Sequence, residues 1–330
     1  MEKNARIYVA GHTGMVGSAI VRKLKAKGFL NLILKDHGEL DLFDQEAVKK
    51  FYEENKPEYV FVAAAKVGGI YANNTYRAQF IFENLQIQNN LIHYAHESRV
   101  KKLLFLGSSC IYPKNAPQPM KEEYLLTGPL EKTNEPYAIA KIAGIKMCES
   151  FFHQYGCQFF SVMPTNAYGP NDNYDLKTSH VFPALIRKFH EAIMNGSKEV
   201  TVWGSGNPKR EFIYTDDIAD ACLFVMSLNF PSFYEKGFTH LNVGTGTEIS
   251  VKALAEMIAS FVGFSGNVVF DQSIPDGSPR KVLDVSRINN LGWKHKIALE
   301  EGVAITYDTF VEKVTNKNAR GNITFEKQKI

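Results

Sequence analysis

Arg6-Ile7-Tyr8-Val9-Ala10-Gly11-His12-Thr13-Gly14-Met15-Val16-Gly17 is the stretch of this sequence that decides its fold class. Residues 6–10 form a short apolar, partly β-branched run, which is typical of a buried parallel strand. The glycines that follow have GxxGxxG spacing, and residues 18–27 are predicted to be helical. In that order, one glycine permits a tight turn, another lets a pyrophosphate approach the backbone, and the third lets the helix pack on the strand. We therefore predict dinucleotide binding, with a structural turn as the alternative, by Gly11, His12, Thr13, Gly14, Met15, Val16 and Gly17.

The rest of the N-terminal half alternates short apolar runs with helical stretches. Further strands are predicted at residues 32–34, 59–62, 103–106 and 159–163, and helices at residues 45–54, 84–96 and 137–155. Strands separated by helices predict a parallel sheet that is covered on both faces. The predicted fold class is therefore α/β, a doubly wound parallel sheet of the Rossmann type with a smaller C-terminal α/β lobe.

The chain length favours one large unit and a smaller one, because 330 residues exceed an average domain but are few for three. We expect the dinucleotide-binding domain to comprise residues 1–166 plus about 212–245. The substrate-binding lobe is expected at about 167–211 and 246–314, and a polar tail at 315–330.

Composition argues against several classes of function. The net charge of +3 is too small to indicate nucleic acid. The four cysteines show no CxxC pair, so we predict reduced thiols and no metal site. The sequence shows no leader pattern at its start and no apolar run long enough to span a bilayer, so we expect a cytoplasmic protein with no membrane partner.

Ligands of a doubly wound sheet bind beyond the carboxyl ends of its strands. The second strand ends where such folds contact the adenosine ribose, and the fourth and fifth strands end in short polar runs. A Pro-rich loop at residues 113–136 follows the fourth strand, and a loop of this length is predicted to be functional or a lid. The candidate cofactor contacts at these strand ends are Lys35, Asp36, His37, Asp41, Leu42, Leu106, Gly107, Ser108, Ser109, Pro164, Thr165, Asn166 and Ala167.

Tyr137 and Lys141 are four residues apart on a predicted helix, which places them on one face, a turn from each other. A phenol has a pKa of about 10, so it is a poor acid or base at neutral pH unless a neighbour stabilises its anion. A lysine ammonium provides that stabilisation, and its flexible stem can also reach a sugar hydroxyl. The alternative is a chance pair on a helix surface, because YxxxK alone is a common pattern.

The glycine run at 11–17, Ser108 after the fourth strand, and Tyr137 with Lys141 together resemble the extended short-chain dehydrogenase/reductases that act on nucleotide sugars. The resemblance is closer to the branch whose members epimerise and reduce GDP-4-keto-6-deoxymannose. It rests on residues 63–70 (AAAKVGGI), 107–113 (GSSCIYP), 134–141 (NEPYAIAK), 164–166 (PTN), 202–206 (VWGSG) and 275–277 (PDG). It extends from Ala5 to about Val311.

The resemblance implies roles for matching residues. Ser108 and Tyr137 would hold the C4 oxygen of the sugar, with Tyr137 giving a proton as hydride arrives, while Lys141 would bind the nicotinamide ribose. Cys110 and His180 would be the base and acid of epimerisation, and His180 would also lie near the cofactor. The GDP-sugar would be held by Lys188, Trp203, Arg210 and Asp276, and Lys281 and Asn166 lie beside these motifs. The implied cofactor is NADP(H), and the implied assembly is a homodimer through the helices at 84–96 and 137–155.

Each assignment has a plainer alternative. A lone cysteine such as Cys110 is usually a small buried hydrophobe, and a histidine that begins a helix, such as His180, is usually a cap. Lys188 and Arg210 could be solvated surface charges, although a diphosphate substrate needs such a pair. Trp203 could belong to the core, although a flat ring is also a platform for a base or sugar.

Two other functions compete with this interpretation. A nucleotide-sugar 4-epimerase that retains NAD would not need Cys110 and His180 as a pair. A non-catalytic dinucleotide sensor would not need Ser108, Tyr137 and Lys141 together. For the cofactor we expect a preference for NADPH, because Lys35 favours a 2′-phosphate. The preference should be modest, because Asp36 opposes that phosphate and this chain has Thr13 and His37 where many bacterial members carry arginine.

Overall fold

The structure is a computed structural model that describes residues 1–274, 276–321 and 323. Its strands are β1 (Ile7–Ala10), β2 (Leu32–Ile33), β3 (Tyr59–Val62), β4 (Lys102–Leu106), β5 (Phe159–Pro164), β6 (Asn166–Tyr168), β7 (Glu199–Trp203), β8 (Lys209–Arg210), β9 (Phe212–Tyr214), β10 (His240–Val243), β11 (Ile249–Ser250), β12 (Asn267–Asp271) and β13 (Arg280–Lys281). Its helices are α1 (Met15–Ala26), α2 (Gln45–Asn55), α3 (Ile70–Thr75), α4 (Arg77–Glu97), α5 (Glu135–Tyr155), α6 (Val181–Met194), α7 (Thr215–Ser227), α8 (Phe230–Glu235), α9 (Val251–Val262), α10 (Ser286–Asn290) and α11 (Leu299–Thr315).

A six-stranded sheet, in the order β10-β5-β4-β3-β1-β2, forms the centre of the molecule. Every pairing in it is parallel. β3 and β5 are buried along their whole length, as strands covered on both faces must be. The predicted doubly wound sheet is confirmed, and β10 lies at its edge beside β5.

Two hydrophobic cores cover the faces of this sheet. One core joins α1 and α7 to it, through residues such as Ile20 and Ile218. The other joins α2 and α4, through residues such as Phe51 and Leu91. Parallel connections through helices leave one layer of helices on each face, which explains the two cores.

A third core lies in the C-terminal half, around α6, α9 and α11. It contains Phe182, Phe189, Leu254 and Phe310. Short sheets surround it, namely β12 with β7, β6 with β9, and β8 between β11 and β13. This packing agrees with a second unit, although the predicted domain boundaries stay a prediction.

The helix that carries Tyr137 and Lys141 has well-defined ends. α5 begins with Glu135 and Pro136, where a carboxylate favours the helix dipole and proline costs no intrahelical bond. It ends where Gly156 adopts φ +69°, in the left-handed region that favours glycine. Both candidate side chains therefore lie in the first two turns of a 21-residue helix.

The Pro-rich loop at 113–136 is fixed at its middle to the C-terminal half. Met120 forms a parallel bridge with Leu283. The Met120 N–H donates to the Val282 carbonyl at 2.8 Å, and the Asp284 N–H donates to the Met120 carbonyl at 2.8 Å. This part of the loop is a structural connection, and its contacts do not favour the alternative of a lid.

The predicted polar tail begins at the end of α11. The Tyr174 N–H donates to the Arg320 carbonyl at 3.0 Å, so the described part of the tail packs on the loop at 171–175. Residues 322 and 324–330 of the tail, and Pro275 of the 275–277 motif, lie outside the described residues. Among the residues that are described, no helix is both long and apolar enough to cross a bilayer.

A helix–sheet contact in this fold yields a stability prediction. A methyl group at Gly144 on α5 would lie 2.4 Å from Cζ of Phe105 on β4. Gly144→Ala should therefore lower the free energy of unfolding by about 1–3 kcal/mol through overpacking, which outweighs the gain in helix propensity. Urea unfolding would measure this change. In a Phe105→Leu background, Gly144→Ala should cost less free energy of unfolding than it does in the wild type, because the smaller side chain leaves room for the methyl group. An equal cost in both backgrounds would contradict the contact.

Candidate active site

The glycine loop after β1 leaves room only for backbone. Gly11 has φ +79°, and a Cβ there would lie 2.7 Å from the Cα of Ala64. A Cβ at Gly17 would lie 2.1 Å from the Gly11 carbonyl oxygen. Both positions therefore require glycine. Gly11 requires it for its backbone conformation and its close contact, and Gly17 for its close contact alone.

The N-terminus of α1 opens onto this loop. Gly14 precedes the helix and provides no capping side chain, so the amides of Met15 and Val16 are available to an anion. Within the described chain, His12 Nδ1 is buried without a hydrogen-bond partner. Uncapped amides beside a glycine cradle fit the diphosphate of a dinucleotide.

The predicted adenosine end lies in a tight turn after β2. Asp36 accepts the N–H groups of Gly38 at 2.9 Å and Glu39 at 3.0 Å, so its carboxylate is used by the turn. Lys35 Nζ lies 3.1 Å from a Glu39 carboxylate oxygen. His37 is solvent-exposed, with Nδ1 4.0 Å from Asp41. Thr13, in the glycine loop, is also exposed. The Leu42 carbonyl accepts a hydrogen bond from the Asn90 side chain, which fixes the backbone there.

The ends of β4 and β5 lie close to α5. Lys141 Nζ donates to the Leu106 carbonyl at 2.9 Å. A Cβ at Gly107 would strike Met163 Sδ at 2.2 Å, so the strand end is packed tightly against β5. Ser109, next to it, is buried.

Beyond β5, the side chains of Thr165 and Asn166 are directed to another part of the structure. Both donate to the Glu211 carbonyl, Asn166 at 2.7 Å and Thr165 at 3.5 Å. Pro164, which ends β5, and Ala167 on β6 are left with their backbone at the same edge of the sheet.

Ser108, Tyr137 and Lys141 lie close together in the structure, where β4 ends beside the start of α5. Burial raises the pKa of Tyr137, Cys110 raises it further, and interaction with the Ser108 hydroxyl lowers it. Lys141 Nζ lies 5.7 Å from the centre of the Tyr137 ring. Burial lowers the pKa of Lys141 to about 8, and Cys110 opposes that shift. The edge of Phe80 packs on the face of Tyr137, with ring centres 6.2 Å apart.

Cys110 lies two residues after Ser108, on a short 3-10 turn. It is buried, and burial raises the pKa of its thiol. Lys281, the Ser108 hydroxyl and Lys141 lower that pKa in turn, which favours the thiolate. The charges of two lysines therefore act on this thiol, which distinguishes it from a cysteine in a wholly apolar core.

His180 precedes α6 without capping it through its side chain. Its imidazole is exposed on one side, and the protein around the remainder lowers its pKa, with Lys281 as the second cause. His180 is thus the N-cap residue of α6 by its backbone, whose carbonyl accepts the Ala184 N–H at 3.2 Å, while its imidazole takes no part in capping. Lys281 influences both proton-transfer candidates, which the sequence did not indicate.

Lys281 and Arg210 are neighbours because β13 pairs with β8 in parallel. Burial lowers the pKa of both cations, and Arg210 further lowers that of Lys281. Nearby, Asp276 accepts the N–H of Ser205 at 2.9 Å and its hydroxyl at 2.6 Å, and its charge favours the protonated form of Arg210. Two adjacent cations with limited solvation form a site for a doubly charged diphosphate.

Trp203 ends β7 and directly precedes Gly204, where a Cβ would lie 2.4 Å from an Asp276 carboxylate oxygen. It is 57% exposed, so it is not a core residue. Lys188 Nζ lies 5.1 Å from its ring centre and donates to the Thr201 carbonyl at 2.8 Å. An exposed ring braced by a lysine can support a base or a sugar.

Glu211 is a residue that the sequence analysis missed. It is fully buried, and its carboxylate accepts N–H bonds from Thr245 at 2.6 Å, Gly246 at 2.7 Å and Leu283 at 2.8 Å. Burial raises its pKa and these bonds lower it. The charged pattern KRE at 209–211 gave no sign that its third member is buried.

Comparison with known proteins agrees with this geometry. The sequence model of the NAD dependent epimerase/dehydratase family matches residues 7–244. GDP-L-fucose synthase 1 of Arabidopsis thaliana is 56% identical over 316 residues, which cover 96% of this chain and 96% of that protein. GDP-L-fucose synthase of Escherichia coli (strain K12) is 56% identical over 93% of this chain and 97% of that protein.

A solved structure is also similar over nearly the whole chain. MlghC, a GDP-mannoheptose C4 reductase from Campylobacter jejuni with NADP bound, is 45% identical with a TM-score of 0.86, over 94% of this chain and 99% of that one. The chain belongs to the NAD dependent epimerase/dehydratase family and, within it, groups with the GDP-L-fucose synthases.

Proposed function

We propose that this protein converts GDP-4-keto-6-deoxy-D-mannose to GDP-L-fucose, by 3,5-epimerisation followed by NADPH-dependent reduction of the 4-ketone. One observation carries the proposal: Ser108, Cys110, Tyr137 and Lys141 interact with one another, and Lys281 acts on both proton-transfer candidates, Cys110 and His180. The names of the relatives that are 56% identical support it.

Epimerisation uses the acidity of carbons next to the ketone. Cys110 as thiolate removes a proton, and the electron pair of the broken C–H bond moves into the ketone, whose oxygen becomes an enolate. The Ser108 and Tyr137 hydroxyls hold that oxygen and stabilise its charge. His180 returns a proton to the opposite face of the carbon, which inverts it.

Reduction follows at C4 in the same cleft. NADPH, when bound in the glycine cradle, supplies the hydride. Tyr137 gives its proton to the C4 oxygen, and Lys141 stabilises the resulting phenolate from one turn away. The Leu106 carbonyl, which accepts a bond from Lys141, holds the ammonium in that position.

The diphosphate and nucleoside of the substrate would occupy the C-terminal part of the cleft. Arg210 and Lys281 provide adjacent positive charges for the diphosphate. Trp203, braced by Lys188, provides a flat surface for the sugar or the base. The charge of Asp276 favours the protonated form of Arg210.

We also propose that the protein is a cytoplasmic homodimer whose interface involves α4 and α5. Phe82 on α4 is 66% exposed and Ile139 on α5 is 42% exposed, which suits an interface between two copies. Light scattering at micromolar concentration would show whether the mass is that of one chain or two.

Two competing activities are separated by one incubation. A 4-epimerase with retained NAD would release no oxidised cofactor, and a heptose reductase would prefer a longer GDP-sugar, as the name of MlghC suggests for that protein. Incubation with GDP-4-keto-6-deoxymannose and NADPH should yield one NADP⁺ for each GDP-L-fucose, identified by NMR. Reduction without inversion at C3 and C5 would refute the epimerase half of the proposal.

The preference for NADPH depends on the turn after β2. Asp36, which would oppose a 2′-phosphate, is held in the turn because one oxygen of its carboxylate, Oδ1, accepts the amides of Gly38 and Glu39. Lys35 remains as a cation at this end, and in the described part of the chain its one ion-pair partner is the exposed Glu39. Because a surface ion pair of this kind is weak, Lys35 can exchange Glu39 for a phosphate at little cost.

Replacing Lys35 therefore tests the cofactor site. Lys35→Ala should lower kcat/KM several-fold for NADPH and leave kcat/KM for NADH unchanged, because only the 2′-phosphate needs the charge. Lys50→Ala, at an exposed lysine paired with Glu54 on α2, is the matched control. Equal losses for both cofactors would place Lys35 outside the phosphate site.

Replacing the Tyr137 hydroxyl tests the reduction step. Tyr137→Phe should retain NADPH affinity and lose about 10²–10⁴-fold in reduction rate, because the ring stays and the transferable proton goes. Fluorescence titration of NADPH and steady-state NADPH oxidation measure the two quantities. Tyr234→Phe, at a buried tyrosine that donates to the Phe159 carbonyl, controls for loss of a hydroxyl elsewhere. Near-normal turnover of Tyr137→Phe would refute its assignment.

The epimerisation step is tested by isotope exchange. Cys110→Ser and His180→Asn should slow incorporation of solvent deuterium at C3 and C5 more than they slow hydride transfer, because each removes a proton-transfer group only. Cys222→Ser, at a buried thiol on α7, controls for the loss of a sulfur atom. Wild-type exchange rates in both Cys110→Ser and His180→Asn would show that other groups move these protons.

A further inference from the structure

We propose that Gly69, supported by Asn73, is a positioning residue for His180. Its backbone fixes the two residues before His180 and so sets where the imidazole lies in the cleft. The inference rests on the proposed function, because it assigns a purpose to the geometry around the proposed acid of epimerisation.

Gly69 is in direct contact with the chain that leads into His180. Its N–H donates to the Thr178 carbonyl at 2.8 Å. A Cβ at Gly69 would lie 2.5 Å from the Ser179 carbonyl oxygen and 3.4 Å from that of Thr178. The backbone of Gly69 has φ −66° and ψ −179°, which any residue can adopt, so the contact alone requires glycine.

Asn73 holds the glycine segment from its other side. It is buried, and its Nδ2 donates to the Gly68 carbonyl at 2.6 Å and to the Gly69 carbonyl at 3.1 Å. The Asn73 N–H also donates to the Gly69 carbonyl at 3.1 Å, as α3 begins. The position of Gly69 is therefore fixed independently of the chain that it contacts.

The segment before His180 is rigid on its own side as well. Asp175 accepts the Thr178 N–H at 2.9 Å and the Lys177 N–H at 3.0 Å, and its carbonyl accepts the Ser179 N–H at 2.8 Å. His180 then follows, with a side chain that makes no cap for α6. A shift at Ser179 is thus passed to His180 rather than absorbed by a loose loop.

A methyl group on Gly69 would force the Ser179 carbonyl to move, because real Cβ contacts below 3.0 Å essentially do not occur. A displacement that approaches 1 Å at a catalytic group can cost about a hundredfold in rate. The structure predicts that this loss falls on proton return by His180, while hydride transfer at Tyr137 is affected less.

The experiment is deuterium exchange with Gly69→Ala. The full-length enzyme, GDP-4-keto-6-deoxymannose and NADP⁺ in D₂O give exchange at C3 and C5 without reduction, and NADPH then gives the reduced products. We expect exchange to fall by about ten- to a hundredfold, NADPH affinity to stay unchanged, and the share of reduced sugar without inversion to rise.

Gly68→Ala is the matched control. A methyl group there would meet Cβ of Ala72 at 3.0 Å and Cζ of Phe80 at 3.3 Å, and the Thr178 carbonyl only at 3.8 Å. These side-chain contacts can yield, so exchange in Gly68→Ala should stay within about threefold of wild type. Wild-type exchange in Gly69→Ala, or equal losses of exchange, reduction and NADPH affinity, would overturn the inference.

Asn73→Leu decides the matter if Gly69→Ala fails to fold. It keeps the glycine and removes the donors that hold it, so exchange should fall by several-fold with intact NADPH affinity. Exchange at the wild-type rate in Asn73→Leu would overturn the inference.

Wild type and His180→Asn in the same assay separate this inference from the proposed function. Absence of exchange in wild type would refute the proposed epimerisation itself. Exchange in wild type that falls in His180→Asn but not in Gly69→Ala or Asn73→Leu would refute only the positioning role.

Discussion

The buried carboxylate of Glu211 is the constraint on which the substrate side of the cleft depends. It draws together three backbone amides from chain segments that are far apart in sequence, at Thr245, Gly246 and Leu283. A charge without solvent is costly unless it is fully hydrogen-bonded, so these segments cannot separate without exposing that cost. Arg210 precedes Glu211 directly, and Lys281 lies two residues before Leu283. The same carboxylate therefore holds both cations next to each other.

Limited solvation organises the chemistry of the cleft. Burial pushes Cys110 and Tyr137 toward their neutral forms and Lys141 toward losing its proton. Lys281 and Lys141 oppose the shift of the Cys110 pKa, Cys110 opposes that of Lys141, and Cys110 adds to that of Tyr137. Groups that interact in this way titrate as a set, so the protonation of one depends on the others. Such coupling suits a reaction that moves protons in opposite directions in two successive steps.

The sequence was informative wherever the chemistry is local. The glycine cradle and the Tyr137/Lys141 pair are set by spacing along one strand, turn or helix, and a reader can recognise them without coordinates. The occupied carboxylate of Asp36 was not predictable, since one turn decides whether it faces a ribose or its own amides. The influence of Lys281 on Cys110 and His180 depends on strand pairing between residues about seventy positions apart, for which no local signal exists.

The bridge between Met120 and Leu283 has a consequence for how the molecule unfolds. It ties the loop between β4 and α5 to the C-terminal half, and the Glu211 carboxylate ties that half to the end of β10. Breaking either link leaves backbone hydrogen-bonding groups unpaired on both sides. Unfolding of the C-terminal core should therefore lower the stability of the cores on the central sheet, and the reverse. Denaturation by heat is therefore expected to follow one cooperative transition, in which the sheet and the C-terminal core melt together.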